Sequence, residues 1–154
     1  MLIIVLLPLL AAAAVGFVRG SQRRAVRGIT LGASGLSLLC ALIAFCSFEV
    51  GGVLQFETKW IWVESLGLNF HLAADGINIG IILMGAIVAF AAACCADDIA
   101  HRVKELHILP NLMIGGILGA FPSMDPSLLY FFHELPLVPT FIMIRLWGRG
   151  ANRN

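Results

Sequence analysis

Long apolar stretches alternate along the chain with short polar links. A helix needs roughly 20 apolar residues to cross a hydrocarbon layer ~30 Å thick. Stretches of about that length are found at residues 2–18, 29–48, 77–96, 106–121 and 127–147. The pattern predicts an all-α fold, in which a polytopic bundle of about five transmembrane helices forms a single membrane domain over residues 1–154.

One link, residues 49–76, is much longer than the others. It carries Trp60, Trp62 and Phe70 among charged residues. Aromatic side chains of this kind settle at the membrane–water interface. We therefore expect this loop to lie along the outer membrane surface.

Polar residues at the borders of the spans suggest caps more than ligands. Asp75-Gly76 directly precedes the third span, which favours Asp75 as the cap of that helix. His71 lies four residues earlier, but metal ligation by this pair is the weaker alternative because two ligands do not make a site. His101 and His107 border the next polar link and are expected to be solvated.

The basic residues indicate which side of the membrane each link occupies. Lys and Arg accumulate on the cytoplasmic side. With the N-terminus outside, Lys59 is the only one of the ten basic residues on the outer side. The others then share the cytoplasmic side: Arg19, Arg23, Arg24, Arg27, Arg102, Lys104, Arg145, Arg149 and Arg153. This predicts a multi-pass protein of the cell inner membrane with a cytoplasmic C-terminus.

Composition excludes a soluble domain. The chain is 60% hydrophobic and 12% charged, whereas a soluble domain carries about 25% charged residues. The lipid bilayer is therefore its first partner, and no basic run is long enough to indicate nucleic acid. The four cysteines all fall in apolar stretches and are predicted to be small apolar helix residues: Cys40, Cys46, Cys94 and Cys95.

Glu134 is the exceptional residue, because it lies about three residues from the centre of the fifth predicted span. An ionised carboxylate there costs several kcal/mol, so such residues usually face a protein interior or a water-filled path. The sequence predicts a proton- or ion-handling site. The alternative is a protonated carboxylate that simply hydrogen-bonds a neighbouring helix, for which Tyr130, one turn earlier, is a candidate partner.

Residues beside Glu134 support a proton path. Pro136 and Pro139 cannot donate hydrogen bonds to the carbonyls of Phe132 and Leu135, which leaves two bare acceptors in a bent helix. A purely structural kink is the alternative. His133 is a possible proton relay, although adjacent helical residues point ~100° apart. The alternative is that it only bonds a carbonyl on a neighbouring helix.

The sequence has no Gly-rich nucleotide loop, no CxxC pair and no hydrolase elbow. Nothing in it indicates a site for flavin, NADH or an iron–sulfur cluster. Any redox chemistry linked to this chain is therefore expected in other subunits.

The fifth span carries a family resemblance. The run LLYFFHELPLVP at residues 128–139, continuing to Leu146-Trp147-Gly148, resembles the fifth helix of the antiporter-like subunits of proton-pumping NADH:quinone oxidoreductase (respiratory complex I), most closely subunit M (chain 4). The segment FHLAADGI at residues 70–77 resembles the region before the third helix of that subunit. The resemblance spans this whole chain but only the N-terminal third of such a subunit.

Some positions depart from the family pattern. Ala73 and Asn78 stand where glycine and serine are usual, His133 replaces a Trp or Phe, and Pro136 and Arg145 are additional. The family pairs its fifth-helix glutamate with a lysine on a later helix, which is not in this sequence. The only lysines are Lys59 and Lys104, both in predicted links. The chain is expected to be a fragment, a truncated product or half of a split subunit.

The resemblance implies a membrane-arm subunit that helps translocate protons, with Glu134 as the protonatable site. It implies other membrane-arm subunits as partners, and NADH, flavin and iron–sulfur clusters in partner subunits, with no cofactor in this chain. Two alternatives stay open: a subunit of a multisubunit sodium/proton antiporter, and a non-catalytic structural membrane subunit.

Overall fold

The computed structural model describes residues 1–18, 22–49, 51, 54–63, 68–96 and 102–148. His101 and the tail from residue 149 lie outside these ranges. The elements follow in chain order: α1 (Leu2–Phe17), α2 (Arg23–Cys46), β1 (Gln55–Val63), β2 (Leu68–Ala74), α3 (Asn78–Cys95), α4 (Val103–Ala120), α5 (Pro126–Glu134) and α6 (Leu137–Trp147).

The prediction of a helical membrane bundle is confirmed. Within the described residues, three helical segments are long and apolar enough to cross a membrane: α2, α3 and the joined α5–α6 from Pro126 to Trp147. The shorter helix α1 is also apolar. Their outward faces carry large apolar side chains, such as Phe17, Val88 and Ile144, each more than 60% exposed. In a membrane protein these faces meet lipid or other apolar helices.

Helix α4 occupies the centre of the bundle and contacts α1, α2, α3, α5 and α6. Glycines let its neighbours approach closely. A Cβ on Gly115 would collide with Leu9 of α1, and a Cβ on Gly119 would collide with the ring of Phe132 on α5. Small residues perform this role in membrane bundles because helices there gain stability from close van der Waals packing.

The core is built from small and branched apolar side chains. One cluster joins α1, α2, α3 and α4 around Ile4, Ala41 and Ile82. A second cluster joins α1, β2 and α5 around Val5, Leu72 and Leu128. The core therefore includes part of the long loop as well as the helices.

The long loop contains a β-hairpin that the sequence analysis did not predict. Strands β1 and β2 pair antiparallel, and Trp60 stacks on Phe70 with ring centroids 5.7 Å apart. The end of β2 is completely buried, with Leu72, Ala73 and Ala74 at 0% exposure. The hairpin is thus packed into the bundle along one strand.

Candidate functional site

The helix that carries Glu134 begins with a well-formed cap. The Asp125 carboxylate accepts hydrogen bonds from the backbone amides of Ser127, at 2.9 Å, and Asn69, at 3.4 Å. Pro126 occupies the first helical position, where its missing N–H is no loss. The hydrogen bond from the Ser127 amide lowers the pKa of the Asp125 carboxyl below its usual value, because it stabilises the charged form.

The β-hairpin is fastened to the turn before this helix. The Ala73 amide donates to the Pro122 carbonyl, and the Met124 amide donates to the His71 carbonyl, both at 2.9 Å. These bonds satisfy buried backbone groups at the edge of β2. The start of α5 is therefore held in place by both the cap and the hairpin.

Asp75 acts at the start of α3. Its carboxylate oxygen accepts hydrogen bonds from the amides of Ile77, at 2.8 Å, and Asn78, at 2.7 Å, as a capping carboxylate does. The Asn78 side chain then donates to the Phe121 carbonyl at 3.3 Å, which links α3 to the end of α4. Gly76 lies in the turn between β2 and α3, where a Cβ would meet nothing within 4 Å.

His71 does not share a site with Asp75. Its Nε2 lies 2.8 Å from a carboxylate oxygen of Glu57 on the neighbouring strand. Among the described residues, no group of three or more His, Cys, Asp or Glu side chains is placed to hold a metal ion.

The helix is interrupted directly after Glu134. Regular α-helix ends at Glu134 and resumes at Leu137 as α6. Pro136 and Pro139 supply no amide hydrogens there, so the carbonyls of Phe132 and Leu135 lose their usual helical donors. The segment around Pro136 packs tightly against α4, since a Cβ built on Gly116 would lie 2.8 Å from Pro136 Cδ and 3.0 Å from the Phe132 carbonyl oxygen.

Glu134 itself is half-buried beside this break. Within the described part of the chain, its carboxylate makes no hydrogen bond or ion pair. The surrounding surface of α5–α6 is apolar and open, with Val138 at 65% and Phe141 at 64% exposure. The carboxylate thus sits at the margin of a face that in the membrane must be covered by lipid or by further helices.

The neighbours proposed for Glu134 point away from the bundle. His133 is exposed, and Tyr130 is 66% exposed. Neither makes a hydrogen bond to Glu134 within the described residues. Any relay through His133 would therefore involve groups that cover this face.

The structure also brings together a buried polar cluster that the sequence analysis missed. The Asn111 side-chain amide donates to Thr30 Oγ1 at 3.1 Å and to the His107 carbonyl at 2.7 Å. His107 was predicted to be solvated, which is wrong: it is 3% exposed. The four-residue spacing of His107 and Asn111 on one helix face was the available signal.

The described geometry places an acidic side chain at a helix break, at the margin of the open α5–α6 face. No protein-family model matches the chain, but similarity to individual proteins does identify its relatives.

Over 153 residues the chain is 31% identical to "NAD(P)H-quinone oxidoreductase chain 4, chloroplastic" of Buxus microphylla, which covers 98% of this chain. Over 158 residues it is 27% identical to "NADH-quinone oxidoreductase subunit M" of Pseudomonas aeruginosa, covering 97% of the chain. A chain 4 protein of Trichodesmium erythraeum is also 27% identical, over 152 residues. The chain is homologous to these subunits.

The match covers nearly all of this chain but only 27–31% of each of these relatives. The resemblance inferred from the fifth-span motif is confirmed by these similarities. The roles of Glu134, His133, Pro136 and Pro139 remain predictions, because overall identity does not test single residues.

Proposed function

We propose that this chain is the N-terminal part of a membrane-arm subunit of a proton-translocating NADH:quinone oxidoreductase. Similarity to chain 4 and subunit M along almost the whole chain supports this proposal. The observation that carries the mechanism is the half-buried Glu134 carboxylate at the break between α5 and α6.

In this proposal Glu134 holds a proton and releases it as its surroundings change. The described residues offer it no cation, so the charge that tunes it comes from the rest of the subunit, which the relatives possess beyond the matched third. A cation approaching the open face of α5–α6 favours the charged carboxylate, and its withdrawal favours the protonated form. Pro136 leaves the Phe132 carbonyl, two residues before Glu134, without its helical donor, so a water molecule that reached it would find a free acceptor.

The oxidation of NADH and the reduction of quinone belong to partner subunits, together with flavin and iron–sulfur clusters. This chain works as a multi-pass protein of the inner membrane, with the ends of the helices near Arg23 and Arg102 on the cytoplasmic side. Conformational changes in the partner subunits then reach Glu134 through the helices that cover α5–α6.

The first test is assembly. Membranes that contain the protein are solubilised mildly, separated on a native gel and stained for NADH dehydrogenase activity, and this chain is followed by mass spectrometry. We expect it to migrate with a large NADH-oxidising complex. Migration in a complex without that activity would contradict the respiratory assignment and favour the sodium/proton antiporter.

The second test concerns Glu134. We expect Glu134→Gln to lower NADH-driven proton uptake into inverted vesicles by about a hundredfold, the low end of what a positioned acid–base group contributes, while assembly stays intact. Glu105→Gln is the matched control, because Glu105 is an exposed carboxylate in the first turn of α4. Normal pumping by Glu134→Gln would leave only a structural role for the residue.

A further inference from the structure

A cavity of about 290 Å³ lies between α2, α3, α4 and α6. Helix α4 supplies more of the lining residues than any other helix and forms the floor of the cavity. Most of the wall is apolar and includes Ala93 on α3 and Met143 on α6. Ala92 and Cys95, near the end of α3, line the cavity and are also exposed. The cavity therefore opens to the surroundings of the bundle beside α3.

The buried polar cluster of Thr30, His107 and Asn111 also lines this cavity. The side chain of Asn111 is 1% exposed and that of Thr30 is 4% exposed. The Asn111 amide nitrogen is used within the cluster, since it donates to Thr30 Oγ1 and to the His107 carbonyl. Among the described residues, however, the Asn111 carboxamide oxygen accepts no hydrogen bond and the Thr30 hydroxyl donates none. A buried acceptor and a buried donor are thus left beside the cavity, and such groups are costly to leave without a partner.

Pro110, inside α4, provides a second acceptor. Proline has no amide hydrogen, so the Leu106 carbonyl, one turn earlier, loses its usual helical donor. Leu106 and Pro110 both line the cavity. Within a membrane a carbonyl freed in this way must find another partner. The floor of the cavity therefore presents two oxygen acceptors and one hydroxyl donor in an otherwise apolar wall.

We infer that this cavity is a binding site for a small neutral alcohol, meaning a molecule with an apolar body and one hydroxyl group. A hydroxyl both donates and accepts, so it can donate to the Asn111 carboxamide oxygen or the Leu106 carbonyl and accept from the Thr30 hydroxyl. An ammonium group can only donate, and an ether can only accept. The cavity volume is close to the lower limit of ligand pockets, ~300–1,000 Å³, which suits a small molecule and not a whole lipid. Binding here requires neither Glu134 nor NADH oxidation.

Photolabelling of the assembled protein in its membranes tests the site. The probe is octanol with a diazirine on its chain, which attaches to neighbouring residues on illumination. The matched control is the methyl ether of the same compound, which lacks the hydrogen that the alcohol donates. The two compounds are compared at equal concentration in the membrane, and the labelled residues are identified by mass spectrometry of the peptides.

We expect the alcohol to label residues on the two sides of the cavity, such as Cys95 and Met143. The alcohol should label them about fivefold more than the ether does, which is the effect of one net hydrogen bond. Equal labelling by the two compounds would overturn the proposal, because it would show a cavity that any apolar chain enters. Absence of labelling by both compounds would also overturn it, and would mean that a further helix or water fills the space.

Variants of α3 and α4 test the position of the bound alcohol. Ala92 lines the cavity and Ala91 does not, although both are exposed on α3. We expect Ala92→Leu to fill the mouth of the cavity and to abolish labelling of Met143, whereas Ala91→Leu leaves that labelling unchanged. Asn111→Leu, a replacement of similar size without the amide, should weaken the preference for the alcohol over the ether. Undiminished labelling in Ala92→Leu, or an undiminished preference in Asn111→Leu, would refute the site.

Discussion

The contact between Gly116 and the broken helix provides the sharpest test of the packing around Glu134. A Cβ at this position would lie 2.8 Å from Pro136 Cδ, 3.0 Å from the Phe132 carbonyl oxygen and 3.1 Å from Leu135 Cβ. Ordinary contacts of a Cβ begin near 3.4 Å. Gly116→Ala must therefore push the proline ring and a backbone carbonyl, neither of which can rotate away as the end of a flexible side chain can.

The expected cost follows from two opposing effects. Overpacking a tight site destabilises a protein by about 1–3 kcal/mol. Replacing a helical glycine by alanine returns roughly 0.5–1 kcal/mol of backbone entropy. Gly116→Ala is therefore expected to lose about 1–2 kcal/mol overall. Gly80→Ala on α3 is the matched control, because a Cβ there meets nothing within 4 Å, and it should be neutral or slightly stabilising.

The two variants are compared by unfolding the purified protein in mixed micelles with increasing SDS. Because backbone entropy acts equally in both, the difference between them isolates the overpacking, about 1–3 kcal/mol. NADH-driven proton uptake in membranes is measured in parallel, and we expect it to fall in Gly116→Ala only. Identical unfolding midpoints for the two variants would show that the segment around Pro136 does not pack tightly against α4.

Three further changes test the contacts that hold the helices. Asn78→Ala should destabilise the protein by about 1–3 kcal/mol in the same SDS assay, since it leaves the Phe121 carbonyl and other buried groups without partners. Asp125→Ala should lower the melting temperature at neutral pH. Because the folded pKa of Asp125 is lowered from 3.8, its contribution is complete above 3.8 and lost as the pH falls below it, so a difference that persists under acid would contradict the cap. Ser37→Ala removes the bond to the Ile4 carbonyl and should cost about 0.6 kcal/mol, whereas Ser34→Ala, which loses a bond within its own helix, should cost less.

The helical part of the fold follows from the sequence because membrane helices are set mainly by local properties. Long apolar runs with few charges specify helices in lipid, where every backbone group must be bonded within the segment. The break at Pro136 was also foreseeable, since proline cannot donate to the preceding turn. The positions of the helices, the break at Pro136 and an unusual residue such as Glu134 can therefore be predicted from the sequence.

Contacts between segments that are distant along the chain are harder to predict from the sequence. The hairpin depends on pairing β1 with β2 and on the bonds from β2 to the turn at Pro122 and Met124, which no local pattern encodes. His107 was misplaced because charged neighbours at the start of α4 suggested a solvated border. Its burial depends instead on the approach of α2 and its Thr30 partner for Asn111, which is a property of the folded bundle.

Contacts with other segments reach the α5–α6 segment at two places: the start of α5 and the break after Glu134. At its N-terminal end, α5 is fixed by the Asp125 cap and by the bonds from the hairpin to the preceding turn. At the break, α4 approaches closely through Gly116, while the Phe132 and Leu135 carbonyls lack helical donors. If α6 moves, we expect the movement to be concentrated where these helical bonds are missing, beside Glu134. Because Glu134 is the last residue of α5, we expect a small movement of α6 to change the surroundings of its carboxylate more than those of residues earlier in α5.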